Sequence, residues 1–185
     1  QMVSSLALRL EAFTKLSTGD REVLERLILG SVRDVSARRD LVREGDRPRY
    51  VYVMVEGWAC RYKTLPDGRR QIVAFFIPGD LCDSNVCILR EMDHSDAAIT
   101  PIRVAETSAE ELEQVTARHP RIMQALWWNE LVSVSIQREW TLNIGQRTAW
   151  ERLAHVLVEL FLRLQCVGLS RDSSWDFPLT QLDLG

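Results

Sequence analysis

The chain has 185 residues, 46% of them hydrophobic and 26% charged, with a formal net charge of −3, the balance of a globular protein able to bury a sizeable core. Mild acidity gives no global electrostatic case for nucleic-acid binding, although it leaves room for a local basic patch. No apolar run reaches the ~18 residues of a membrane span, and Gln1–Phe13 is interrupted by Arg9 and Glu11, so no signal peptide is expected and the expected compartment is the cytoplasm.

In chain order, Leu6, Leu10 and Phe13 recur at helical spacing. A second helix follows, with Ser17 or Thr18 as its cap and Val23, Leu24, Leu27 and Ile28 as its apolar stripe. From Val32 the texture turns to short β-rich runs: DLVREG, RYVYVMVEG, WACRYKTL, RQIVAFFI and AAITPIRVAE. Gly45, Gly57, Gly68 and Gly79 stand 12, 11 and 11 residues apart between them. Regular turn signals of that kind predict an all-β sandwich, barrel or roll. Asp67-Gly68 predicts a hairpin, and Pro78-Gly79 a second turn.

Ser108 and Glu111 have capping-box spacing and open a further helix. After Pro120 a long helix is expected from Arg121 to about Asn143, with two apolar rows: Met123, Trp127, Leu131 and Val134, then Ile136, Trp140 and Ile144. A surface helix needs one apolar stripe. Two rows imply either a second copy of the chain, with Met123, Trp127, Leu131, Val134 and Trp140 as contacts, or two faces buried within one monomer. Gly145 costs a helix about 1 kcal/mol relative to Ala, so a break and hinge are expected at Asn143 and Gly145. A new amphipathic helix follows, lined by Leu153, Val156, Leu157, Leu160 and Leu164 and ended by Gly168. At the end of the chain Thr180 has the position of an N-cap, with Asp183 at N3.

The chemistry of an enzyme is missing. His94, His119 and His155 lie in three different elements. No H-x-H, H-E-x-x-H, G-x-S-x-G, phosphate loop or G-x-G-x-x-G occurs. His94-Ser95-Asp96 is a poor triad, because adjacent residues point different ways. The cysteines, Cys60, Cys82, Cys87 and Cys166, form no C-x-x-C and have the wrong spacing for zinc, so no metal centre is expected. Two readings remain for Cys82 and Cys87: free thiols of a reducing compartment, or a redox-sensing pair.

Helices, a glycine-punctuated roll, a long helix, a break and another helix, in this order, resemble the Crp/Fnr transcription regulators. The resemblance rests on EGD (44–46), VEGWACRYKTLPDGRRQIVAFFIPGDLCD (55–83), MDHSDAAITPIRVAE (92–106), RTAWERLAHVLVEL (147–160) and FPLTQLDLG (177–185). It implies an α+β fold: an antiparallel β-roll of the cyclic-nucleotide-binding type flanked by helices (1–118), a dimerisation helix (119–144), and a hinge leading into the first helix of a winged helix-turn-helix (145–185). A recognition helix would then lie beyond Gly185. It also implies a homodimer whose partners are DNA and RNA polymerase, with a small-molecule or redox signal. The alternative is a cyclic-nucleotide-binding-like regulatory module of a signalling protein.

The resemblance further places the effector pocket at Leu81, Cys82, Asp83, Ser84 and Asn85 and at His94, Ser95 and Asp96. Cyclic-AMP-binding members have a Gly-Glu pair in the first segment and an Arg-Ser pair in the second. Here the phosphate's arginine is absent and Asp96 adds a negative charge, so cyclic AMP is disfavoured. Iron–sulfur members use an N-terminal cysteine cluster, and no cysteine precedes Cys60. Haem is disfavoured too, since His94 is the only histidine in the roll.

Overall fold

The computed structural model describes residues 4–84, 88–172 and 174–181. The elements are α1 (Ser5–Glu11), α2 (Thr18–Leu29), β1 (Val32–Val35), β2 (Asp40–Val42), β3 (Tyr50–Glu56), β4 (Ala59–Thr64), β5 (Arg70–Phe76), β6 (Leu81–Cys82), β7 (Ser95–Ala98), β8 (Ile102–Ser108), α3 (Ala109–Arg118), α4 (Pro120–Gln146) and α5 (Ala149–Cys166). All pairings are antiparallel and form two four-stranded sheets, β1-β8-β3-β6 and β2-β7-β4-β5.

Strand periodicity explains the layering. Along β3, Tyr52 and Met54 point between the sheets, where they meet Phe76, Cys82, Ile102 and Val104. Val51 and Val53 point the other way, onto α1, α2 and α4, beside Leu10, Leu24 and Ile122. β3 is buried on both faces, which is why it reads as an unbroken apolar run. The outer face of the second sheet presents Trp58, Cys60, Phe75 and Ile77 to Leu160 and Leu164 of α5. The roll is thus covered on both sides by helix.

The helix starts follow from local chemistry. Ser17 with Asp20, Ser108 with Glu111 and Thr148 with Glu151 each form a reciprocal capping box. α5 ends in a Schellman motif: Gly168 (φ 73°) sends its N–H to the Gln165 carbonyl, and Leu169 sends its own to Leu164. In the Ile77–Asp80 turn, Gly79 has φ 94°. A Cβ there would lie 2.7 Å from the Ser5 carbonyl oxygen, so glycine is required both by conformation and by the close approach of α1.

Two expectations about elements are corrected. AAITPIRVAE is not one strand: it breaks at 99–101, and its halves, β7 and β8, lie in opposite sheets. Pro101 lacks the N–H a continuous ladder would use. The long helix does not break at Asn143–Gly145 but runs on to Gln146, and the turn out of helix is at Arg147, φ −93° and ψ 145°. Gly145 weakens a helix without ending it, and here the last turn is held from outside by side chains described below. Asn85, Val86 and Cys87, and Leu182–Gly185, lie outside the described residues. With them go the proposed Cys82–Cys87 pairing and the capping box expected from Thr180 and Asp183.

Candidate functional site

A cavity of about 430 Å³ lies between the roll and α4, bordered by Arg61, Asp83 and His94 on the roll side and by Asn129, Ser133 and Gln137 on the helix side. That volume falls in the range of small-molecule sites. Two charge clusters build its walls.

The first cluster joins most of the sequence-predicted pocket residues. Asp96 stands opposite Arg61 in the β4–β7 register. The Arg61 guanidinium reaches Asp96 Oδ1 at 3.1 Å and Asp83 Oδ1 at 2.7 Å. His94 Nε2 lies 2.9 Å from Asp83 Oδ2, and Nδ1 lies 2.6 Å from Asp93 Oδ1. His94 and Asp96, two apart, therefore share a face, while Ser95 points away and accepts the Glu44 N–H at 3.0 Å. Burial pushes the Asp96 carboxyl up, to about 6, against the pull of Arg61. Burial also opposes ionisation of Asp83, but hydrogen bonding to His94 and the charge of Arg61 outweigh it and hold Asp83 below the usual carboxylate range. The oxygens of Asp83 and Asp96 already face a cation, which is Arg61.

Sequence reasoning found no cation near Asp96. The structure supplies one from a different strand, but its N–H groups are taken by the two carboxylates and its face lies over the Phe76 ring. An arginine within a strand reads as solvent-facing. The usable signal was its position in WACRYKT, one residue after the buried Cys60. Leu81 and Cys82 form β6 beside β3. Cys82 is fully enclosed, and burial, reinforced by Asp96, pushes its thiol well above the usual value, leaving it protonated and unreactive. Ser84 donates to Glu130 Oε1 of α4 at 2.6 Å.

The second cluster is absent from any sequence expectation. Asp80, buried after the Gly79 turn, accepts the Ile77 N–H at 2.7 Å and forms ion pairs with Arg9 of α1 (3.1 Å) and Arg163 of α5. Arg9 also donates to Asn129 of α4 at 3.0 Å. Arg163 donates to the Phe75 carbonyl and to Glu159, each at 2.8 Å, and Glu159 accepts from the Trp140 indole at 2.7 Å. One carboxylate thus links α1, the roll and α5, with α4 one residue further out.

On α4, Met123, Trp127, Leu131 and Val134 are exposed and share one stripe, with Trp128 beside them. Trp140 is different: at 100° per residue it sits about 120° around the helix from Val134. It packs on Phe75 with ring centroids 5.9 Å apart, so it belongs to the roll contact and not to the exposed stripe. Around the turn, Arg147 curls back onto α4, donating to Asn143 Oδ1 at 2.6 Å and Glu139 at 2.8 Å. The Asn143 amide nitrogen lies 2.9 Å from His155 Nδ1 on α5. Asn143 is therefore a buried clamp residue, and no atom lies within 4 Å of where a Gly145 Cβ would be.

The two-sheet roll holds its cavity against a long helix, and residues 32–119 match the family described as cyclic nucleotide-binding domain. The chain is 28% identical over 158 residues to the nitrogen fixation regulation protein FixK of Bradyrhizobium diazoefficiens, covering 84% of this chain and 65% of that one. It is 26% identical over 155 residues to the transcriptional activator protein FnrL of Cereibacter sphaeroides, covering 82% and 62%. The structure of FixK2 from Bradyrhizobium japonicum superimposes with a TM-score of 0.72 at 27% identity, over 84% of this chain and 75% of that one. The Thermus thermophilus catabolite activator protein shares the fold, with a TM-score of 0.60 at 18% identity. In sequence and fold the chain resembles regulators of the Crp/Fnr type. It spans about two thirds or slightly less of the length of these curated relatives.

Proposed function

We propose that this chain is the sensory and dimerisation part of a homodimeric, DNA-binding transcription regulator, without enzymatic activity, working in the cytoplasm. The observation that carries the reading is the arrangement of α4. One side closes the cavity at Asn129, Ser133 and Gln137. The other presents an exposed stripe of Met123, Trp127 and Leu131, with Val134 between the stripe and the cavity rim. A change in the cavity is thereby delivered to a helix that a second copy would share, and through the Arg147 turn to α5. Among the described residues no helix is long and apolar enough to cross a membrane. The similarity to FixK and FnrL extends past the roll, which favours a regulator over an isolated cyclic-nucleotide module.

The cavity's chemistry disfavours a cyclic nucleotide, since Arg61, Arg9 and Arg163 are each committed to carboxylates. A phosphate would have to displace Asp83 or Asp80 from its partner. The test has two arms. Sedimentation of the 185-residue chain at micromolar concentration should show a dimer. A longer protein that joins this chain to a helix-turn-helix domain should bind promoter DNA with a steep salt dependence. A monomer in the first arm, or no DNA affinity in the second, overturns the reading.

A further inference from the structure

Both ring nitrogens of buried His94 meet carboxylate oxygens, Asp93 at 2.6 Å and Asp83 at 2.9 Å. A neutral imidazole has one N–H and one lone pair. It can donate to only one of the two and would turn its lone pair on the other. Imidazolium satisfies both. Among the described residues, the other charges near it are Asp96 (Oδ1 3.7 Å from Nε2), Arg61 beyond Asp83, Lys63, whose ammonium holds the Asp93 carbonyl and Glu44, and Glu130 across the cavity on α4. Burial and Arg61 oppose the ring's charge, but contact with Asp83 and the nearby carboxylates prevail and raise the His94 pKa above its ordinary value.

Asp83 has φ 58°, the left-handed region that a non-glycine residue occupies at a cost. It is held there by His94 on one oxygen and Arg61 on the other. The next residue, Ser84, is bonded to Glu130 of α4. Asp83-Ser84 is therefore a two-residue bridge, one end in the His94 cluster and the other on the long helix.

We propose that His94, Asp83 and Ser84 form a proton-responsive relay between the roll and α4, the doubly protonated ring holding the bridge closed and its deprotonation releasing it. Loss of the proton leaves one N–H for two carboxylates and removes the ring's positive charge, so the hold of His94 on Asp83 weakens while Arg61 remains the cation shared by Asp83 and Asp96. The Ser84–Glu130 bond opens with it. The relay deepens the regulator reading, on which its biological meaning rests, by making alkalinisation a signal at the cavity.

The experiment uses the 185-residue chain. Nitrogen-15 NMR of the histidine rings from pH 6 to 9 reads the state of His94. Hydrogen exchange, corrected for intrinsic rate, reads the segments 81–84 and 126–134. The expected result is a doubly protonated His94 at pH 7. As it deprotonates, protection in both segments should fall several-fold. Asp93→Asn, at an exposed side chain, should move the His94 transition and the loss of protection together to lower pH. Ser84→Ala should leave the His94 transition in place while α4 protection stops following it. A neutral His94 ring at pH 7, or a loss of protection that does not move with His94 in the Asp93 variant, overturns the proposal. Failure of the longer protein to bind DNA would overturn the regulator reading without altering any of these readouts.

Discussion

Gly145→Ala separates a helix that continues from a helix that breaks. In the structure Gly145 is the second-last residue of α4, in helical conformation. A Cβ there meets no atom within 4 Å, so no steric cost is subtracted. The full Gly-to-Ala gain in a helix interior is about 0.8–1.0 kcal/mol. In a last turn, partly frayed, about 0.5–1 kcal/mol is expected. For a chain of this size that raises Tm by about 1–4 °C. Thermal unfolding followed by circular dichroism, at one fixed protein concentration because self-association makes Tm concentration-dependent, measures it. An unchanged or lowered Tm would refute the reasoning and move the break back to Gly145, where alanine would resist the bend.

Leu160→Ala empties a fully buried site between α5 and the second sheet, and should cost about 3–5 kcal/mol in urea unfolding. Leu131→Glu, on the exposed stripe, should leave protomer stability within about 0.5 kcal/mol and shift sedimentation toward monomer by at least tenfold in the dissociation constant. Stability should fall as acid titrates Asp20. Burial opposes its ionisation, but Ser17 and His119 hold its folded pKa below the unfolded 3.8, so its contribution is present above that value and lost as pH drops through the folded one. Melts between pH 5 and 2.5, compared with Asp20→Asn, check this. Cyclic AMP should give no calorimetric heat of binding at physiological concentration, and micromolar affinity would mean that Asp83 or Asp80 yields its arginine.

What was legible in the sequence was whatever is local. Gly68 and Gly79 mark turns because a positive φ is a property of one residue, and Ser108 with Glu111 cap α3 because the reach is three positions. The exposed stripe of α4 followed from spacing. The charged hubs did not, because their members are far apart: Arg163 and Asp80 are separated by 83 positions, Arg9 and Asn129 by 120. Arg61 was missed for the same reason, its partners arriving from β7 and the loop after β6. The extent of α4 was misread because a weak residue, Gly145, sits two positions before a turn whose clamp, Arg147 on Asn143 and Glu139, is a matter of side-chain reach that periodicity does not carry.

The three bodies of this molecule meet in pairs. The roll meets α4 at Ser84–Glu130 and Phe75–Trp140, α4 meets α5 at Asn143–His155, and α5 meets the roll at Arg163–Asp80. Three bars pinned at three corners make a truss, and a truss has no free swing. Rotation at Arg147 alone is therefore blocked: α5 can re-aim only if a second corner lets go at the same moment. For the proposed regulator the consequence is that a signal reaching one corner alone leaves α5 in place, and re-aiming it requires that two corners be released together.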